Sequence, residues 1–145
     1  MTSPADIIRE LCGILLHTDV AGSPVTWPGY VGFLPDFPAE AAGFYDEKGV
    51  DDGRLMSGTK IEHDGIQIVI RSPVYQDGWN KAMDIALALD IQNNVSVDVV
   101  SDTEYIVVNV SRIGTVLSVG VDAKDGQRRH YFTINAKMTY RLASL

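Results

Sequence analysis

The chain has 145 residues, 46% hydrophobic and 21% charged, which is enough apolar material for one domain with its own core and argues against wholesale disorder. Its formal net charge of −7 speaks against nonspecific binding to DNA or anionic lipid, both of which favour a positive surface. A lone cysteine, Cys12, excludes an intramolecular disulfide framework. With no signal-peptide pattern and no apolar run near the ~20 residues of a membrane span, the expectation is a soluble protein made in the cytoplasm.

Residues 3 to about 18 read as a helix. Ser3 suits the cap, Pro4 the first helical position, and Asp6 stands three residues after Ser3 as in a capping box. Ile7, Ile8, Leu11, Cys12, Leu15 and Leu16 form its apolar stripe, so Cys12 reads as a small buried hydrophobe rather than a nucleophile. Residues 19–29 are turn-rich. Tyr30–Leu34 suits a short strand, closed by the rigid bend Pro35-Asp36-Phe37-Pro38, and Ala41–Tyr45 suits another.

From Asp46 to Asp64 periodicity is lost. The stretch is rich in carboxylates and has glycines at 49, 53 and 58, and so long an aperiodic segment inside a compact domain is often functional or mobile. Two readings stand side by side: an extended arm or hairpin that touches a neighbouring subunit, and a solvated loop.

The clearest local signal follows. Ile66, Ile68 and Ile70 alternate with Gln67, Val69 and Arg71 as in a strand with one buried face. Ser72-Pro73 ends it, and Trp79, Ala82, Met83, Ala86 and Leu89 recur at helical spacing, with Lys81, Asp84 and Ala88 opposite. Val95, Val97 and Val99 alternate briefly. Residues 104–110 predict a strand with Ile106, Val108 and Val110 on one face, while 111–121 is β-rich but interrupted by Gly114 and Gly120. Asp125-Gly126 is a hairpin signal. The last strand places Phe132, Ile134, Ala136, Met138 and Tyr140 on one face and Tyr131, Thr133, Asn135, Lys137, Thr139 and Arg141 on the other.

No motif carries chemistry. His17, His63 and His130 lack metal-ligand spacing, and Asp51-Asp52 lacks the ligand pattern of a calcium loop. No phosphate loop, dinucleotide fingerprint or nucleophile elbow is present. Arg128-Arg129 is too short a basic run for nucleic-acid recognition, and reads as solvated or paired. Trp27 and Trp79 could anchor an interface, though the helical position of Trp79 favours the core. The residues therefore point away from an enzyme, with no cofactor and no metal.

The order of features is more specific than any one of them. The succession Tyr30-Val-Gly-Phe-Leu-Pro-Asp-Phe-Pro38, Ala42-Gly-Phe-Tyr-Asp46, Gly65-Ile-Gln-Ile-Val-Ile-Arg71, Tyr75 with Trp79-Asn-Lys-Ala82, and Arg129-His-Tyr-Phe-Thr-Ile-Asn135 resembles the minor capsid or tail terminator proteins of long-tailed bacteriophages, over about residues 5 to 142. The resemblance implies one α+β domain over 1–145, with an N-terminal and a central helix on one face of a mixed, mostly antiparallel sheet. It implies a structural protein of the virion tail at the head–tail junction, present in the host cytoplasm during assembly. Six copies would ring the end of the tail tube, whether or not the free chain is a monomer. Its partners would be the major tail tube protein and the head-completion or connector proteins, with DNA only passing through the lumen and no membrane contact.

A closed ring made by heterologous contacts needs two different patches on each subunit. The acidic stretch supplies candidates for one of them: Asp46, Glu47, Asp51, Asp52, Arg54 and Glu62. A second expectation is that the acidic balance keeps the ring lumen from gripping passing DNA. The rivals are another connector component, such as a stopper or adaptor, and a small α+β enzyme or ligand-binding domain with a pocket around His63, Asp64 and Arg71.

Overall fold

The computed structural model describes residues 3–16, 29–36, 39–54, 56, 60–90, 95–99, 103–124 and 126–142. Predicted features at His17 and Trp27 lie outside the described residues.

Helix α1 spans Pro4–Leu16. The Asp6 N–H donates to Ser3 Oγ at 3.3 Å, one half of the predicted capping box, and the Ser3 hydroxyl itself donates to the Asp6 carboxylate at 3.4 Å. Ala5, Ile7, Ile8, Leu11 and Cys12 are buried. The short strand β1 (Gly29–Val31) follows, and it is briefer than the Tyr30–Leu34 pattern suggests. Gly32, at φ +81°, turns the chain out of line there and donates its N–H to the Phe44 carbonyl.

The long strands β2 (Ala41–Arg54) and β3 (Lys60–Ser72) come next. They are followed by helix α2 (Tyr75–Ala88) and strands β4 (Val95–Val99), β5 (Thr103–Arg112), β6 (Leu117–Lys124) and β7 (Gln127–Leu142). They build one seven-stranded sheet in the order β1-β2-β3-β7-β5-β4, with β6 paired to β7 off that path. Only β1 and β2 run parallel. This is the α+β architecture with a mixed, mostly antiparallel sheet that the sequence implies.

Strand β7 is the spine. One edge pairs with β3 from His130 to Met138. The other pairs with β5 from Ala136 to Leu142 and then with β6 from Gln127 to Thr133. The chain changes from one to the other at Ile113–Val116, where Gly114 takes φ +79° and the Ile113 N–H donates to the Asn135 carbonyl at 2.7 Å.

The register makes the core legible. Ile66, Ile68 and Ile70 pair with Ala136, Ile134 and Phe132, and all are essentially inaccessible to solvent. Full burial of each such branched or aromatic side chain contributes roughly 1.5–3 kcal/mol. Both helices cover this face. On α2, Ala82, Ala86 and Leu89 of the predicted stripe are buried, while Trp79 and Met83 pack against the core from its margin. Gly78 and Ile85 complete the buried side. The helix presses closest at Gly78, where a Cβ would lie 2.6 Å from Phe132 Cε2 and 3.0 Å from Ser72 Cβ. Tyr75 and Trp79 then flank the Phe132 ring, with centroids 5.2 and 6.1 Å away.

One predicted face is corrected. Ile106 and Val108 do not share the buried side with Val110; Tyr105, Val107 and Val110 do. The register shifts between Val107 and Asn109, and the bulge at Val108 moves the alternation by one residue.

Candidate assembly surfaces

The aperiodic acidic stretch is an extended hairpin rather than a loop. The pairing of β3 with β7 stops at Asp64, opposite Met138, whereas β2 and β3 stay paired out to Arg54 opposite Lys60. Beyond that point the two strands leave the sheet as a two-stranded ribbon. Two register shifts, between Glu47 and Val50 and between Asp51 and Arg54, each insert an extra residue on β2 beside Gly49 and Gly53. These bulges twist the ribbon and erase the period-2 pattern.

The six candidate contact residues fall into distinct positions on this arm. Asp46 lies at its root, where its carboxylate accepts the Ala5 N–H at 2.9 Å, on the positive end of the α1 dipole. Glu47, paired with Gly65, is exposed. Farther out, the backbone register sets Asp51 opposite Glu62 and Arg54 opposite Lys60, with Asp52 in the second bulge.

His63, Asp64 and Arg71 do not converge. Asp64 sits on the helical face of β3, where burial and then the neighbouring Asp64 carboxylate push the Tyr140 hydroxyl up to about 12. Arg71 lies on the opposite face, seven positions along the strand. At ~3.3 Å per residue they are roughly 23 Å apart.

Arg71 belongs instead to a polar node on the face of the sheet away from the helices. It is 2% exposed; its Nε donates to the Ala39 carbonyl at 3.1 Å and an Nη to the Pro35 carbonyl at 2.5 Å. Arg129, also buried, makes a forked pair with Asp122 at 3.0 and 2.9 Å, and its other nitrogen reaches the Asp36 carbonyl at 3.5 Å. The Tyr131 hydroxyl donates to the same Asp122 carboxylate. The fork with Arg129 holds the Asp122 carboxyl below the usual carboxylate range. Desolvation, followed by that hydrogen bond, raises the Tyr131 hydroxyl. The two guanidinium groups thus clamp the segment around Pro35 and Asp36, which the sequence marks only as a bend. Donors of both groups reach main-chain carbonyls of this segment, so the node fastens it to the sheet. Arg129 is paired, as expected for half of the Arg128-Arg129 run, while Arg128 is exposed. His130, inside β7 at its last pair with β3, makes an edge contact to Tyr75 with centroids 5.5 Å apart.

A second surface escaped the sequence reading. Strand β6 pairs only with β7, so its other edge is open among the described residues. Leu117, Val119 and Val121 are 61%, 58% and 56% exposed, and Ile113 just before them is 51% exposed. A second shift, between Ser118 and Gly120, switches the parity. The register then groups Leu117 with Thr133 on the open face and Val121 with His130 on the helical face. The alternation of Leu117, Val119 and Val121 was the available signal, and Gly120 obscured it.

Among the described residues, no group of three or more His, Cys, Asp or Glu could hold a metal ion, and no helix is long and apolar enough to cross a membrane. The distinctive features of this helix-backed sheet are a projecting arm, an apolar edge open among the described residues and a clamped bend. A family model described as bacteriophage tail terminator protein matches residues 13–142, and the chain belongs to that family. It is a structural protein of the phage tail, and it acts through contacts with other components of the virion. No curated protein matches the chain.

Proposed function

We propose that this chain caps the tail tube as a hexameric ring and joins the finished tail to the head-completion proteins, with the β2–β3 arm as one of the two patches through which neighbouring subunits meet. The observation that carries this reading is the arm itself. A two-stranded ribbon is at best marginally stable in water without a third strand or a packed face. Contact with another subunit supplies that support.

The net charge of −7 fits a ring through which DNA passes without being gripped, since a basic lumen would hold the phosphate backbone. The major tail tube protein is the partner on one side of the ring and a connector protein the partner on the other. Membership of the tail terminator family supports this reading over a stopper or adaptor role. The test is to delete residues 48–62, rejoin the strands with a two-residue turn, and weigh the particle by light scattering on the wild-type and shortened chains in the presence of tail tubes. Loss of the ring from a chain that still folds supports the proposal; an unchanged hexamer rejects the arm as a subunit contact.

A further inference from the structure

We infer that the open edge of β6 is the second patch, and that it receives the acidic β2–β3 arm of a second copy of this chain, strand against strand. The inference rests on the ring reading above and specifies its interface. Two observations carry it. First, β6 is an eight-residue edge strand whose apolar side chains are more than half exposed and reach both faces of the sheet. A strand apolar on both faces reads as an interior strand of a larger sheet, and an exposed edge of this kind is a template for pairing with another chain.

Second, the sheet has a matching open edge on its other side. Strand β1 covers β2 only from Ala42 to Phe44, so among the described residues β2 is uncovered outward from Tyr45 along the arm. The two open edges lie at diagonal corners. β6 flanks the Ser72 end of β3 through the β7 residues 130–133, and the arm leaves at the Asp64 end. Closing strands into a ring requires such a stagger between successive units. Because the two patches differ, the contact is head-to-tail and can close on itself.

The test uses full-length chain on tail tubes built from the phage's own tube protein. Val121 is replaced by the photo-crosslinker p-benzoylphenylalanine, and equal amounts of 14N and 15N chain are mixed so that cross-links between copies are recognised by mass. The expected result is 14N–15N cross-links whose far end falls within residues 45–64. In parallel, the variant Val119→Lys/Val121→Lys, altered only at exposed positions and checked for an unchanged melting temperature, is expected to lose tube-end occupancy at least tenfold. Cross-links that join two copies outside residues 45–64, or full occupancy by the lysine variant, overturn the inference and leave the ring standing. A single copy per tube end overturns both.

Discussion

Replacing Arg71 by methionine removes the clamp on the 35–39 segment while keeping an apolar stem of similar length in the sheet. The hydrogen bonds lost from this charged group include those to the carbonyls of Ala39 and Pro35. Bonds of this kind contribute roughly 1.5–3 kcal/mol each. The carbonyls belong to a segment on the molecular surface and regain part of that from water, so the expected net loss is about 2–4 kcal/mol. For a domain of this size about 3 kcal/mol lowers the melting temperature by roughly 10 °C. Arg71→Lys keeps the charge but cannot fork to two carbonyls, and it is expected to recover about half of the loss. Urea unfolding of the three chains measures the differences directly. Amide exchange in residues 32–40 of the methionine variant should accelerate more than exchange in α2. A methionine variant within about 0.5 kcal/mol of wild type, in the range of neutral surface changes, would refute the clamp.

Gly78→Ala is expected to destabilise by about 1–2 kcal/mol, although alanine is normally the better helix former, because its Cβ would enter the space of Phe132. In the Phe132→Leu background the same substitution should cost clearly less, as a double-mutant cycle on urea midpoints would show. Asp46→Asn keeps an acceptor for the Ala5 N–H but removes the charge from the helix terminus, and should lower stability by about 0.3–1 kcal/mol in low salt and less in high salt. For Asp122 the folded acidity constant is depressed, so its contribution is complete above the ordinary carboxylate range and fades as pH falls through the lower folded value. The stability gap between wild type and Asp122→Asn should therefore be constant from pH 5 to 8 and close only below about pH 4, as thermal melts across that range would read out.

The elements legible in the sequence are those with unbroken periodicity. Helix α1 declares itself by Ser3, Pro4 and Asp6. The isoleucines of β3, the stripe of α2 and the alternation of β7 each occupy the faces their spacing implies. What the pattern hid lies at register shifts: the two in the arm, the one at Val108 and the one before Gly120. At each, one extra residue reverses the parity, so correct strands look aperiodic or are assigned the wrong face. The assembly surfaces were only half legible for the same reason. Asp51, Asp52, Arg54 and Glu62 stand out by composition, but that Asp51 opposes Glu62 is a fact of pairing. Arg71 and Arg129 are far apart in sequence, and nothing local announces that both reach the Pro35–Ala39 bend.

The central claim is that this chain acts as a ring at the end of the tail, built through its arm. Electron microscopy of purified tails, with image averaging at the head-proximal end, tests it most directly. The account expects a six-fold ring of this chain in which residues 46–64 of each subunit lie against the β6 edge of the next. Tails that end without such a ring, or a ring whose arms project into solvent, would contradict it.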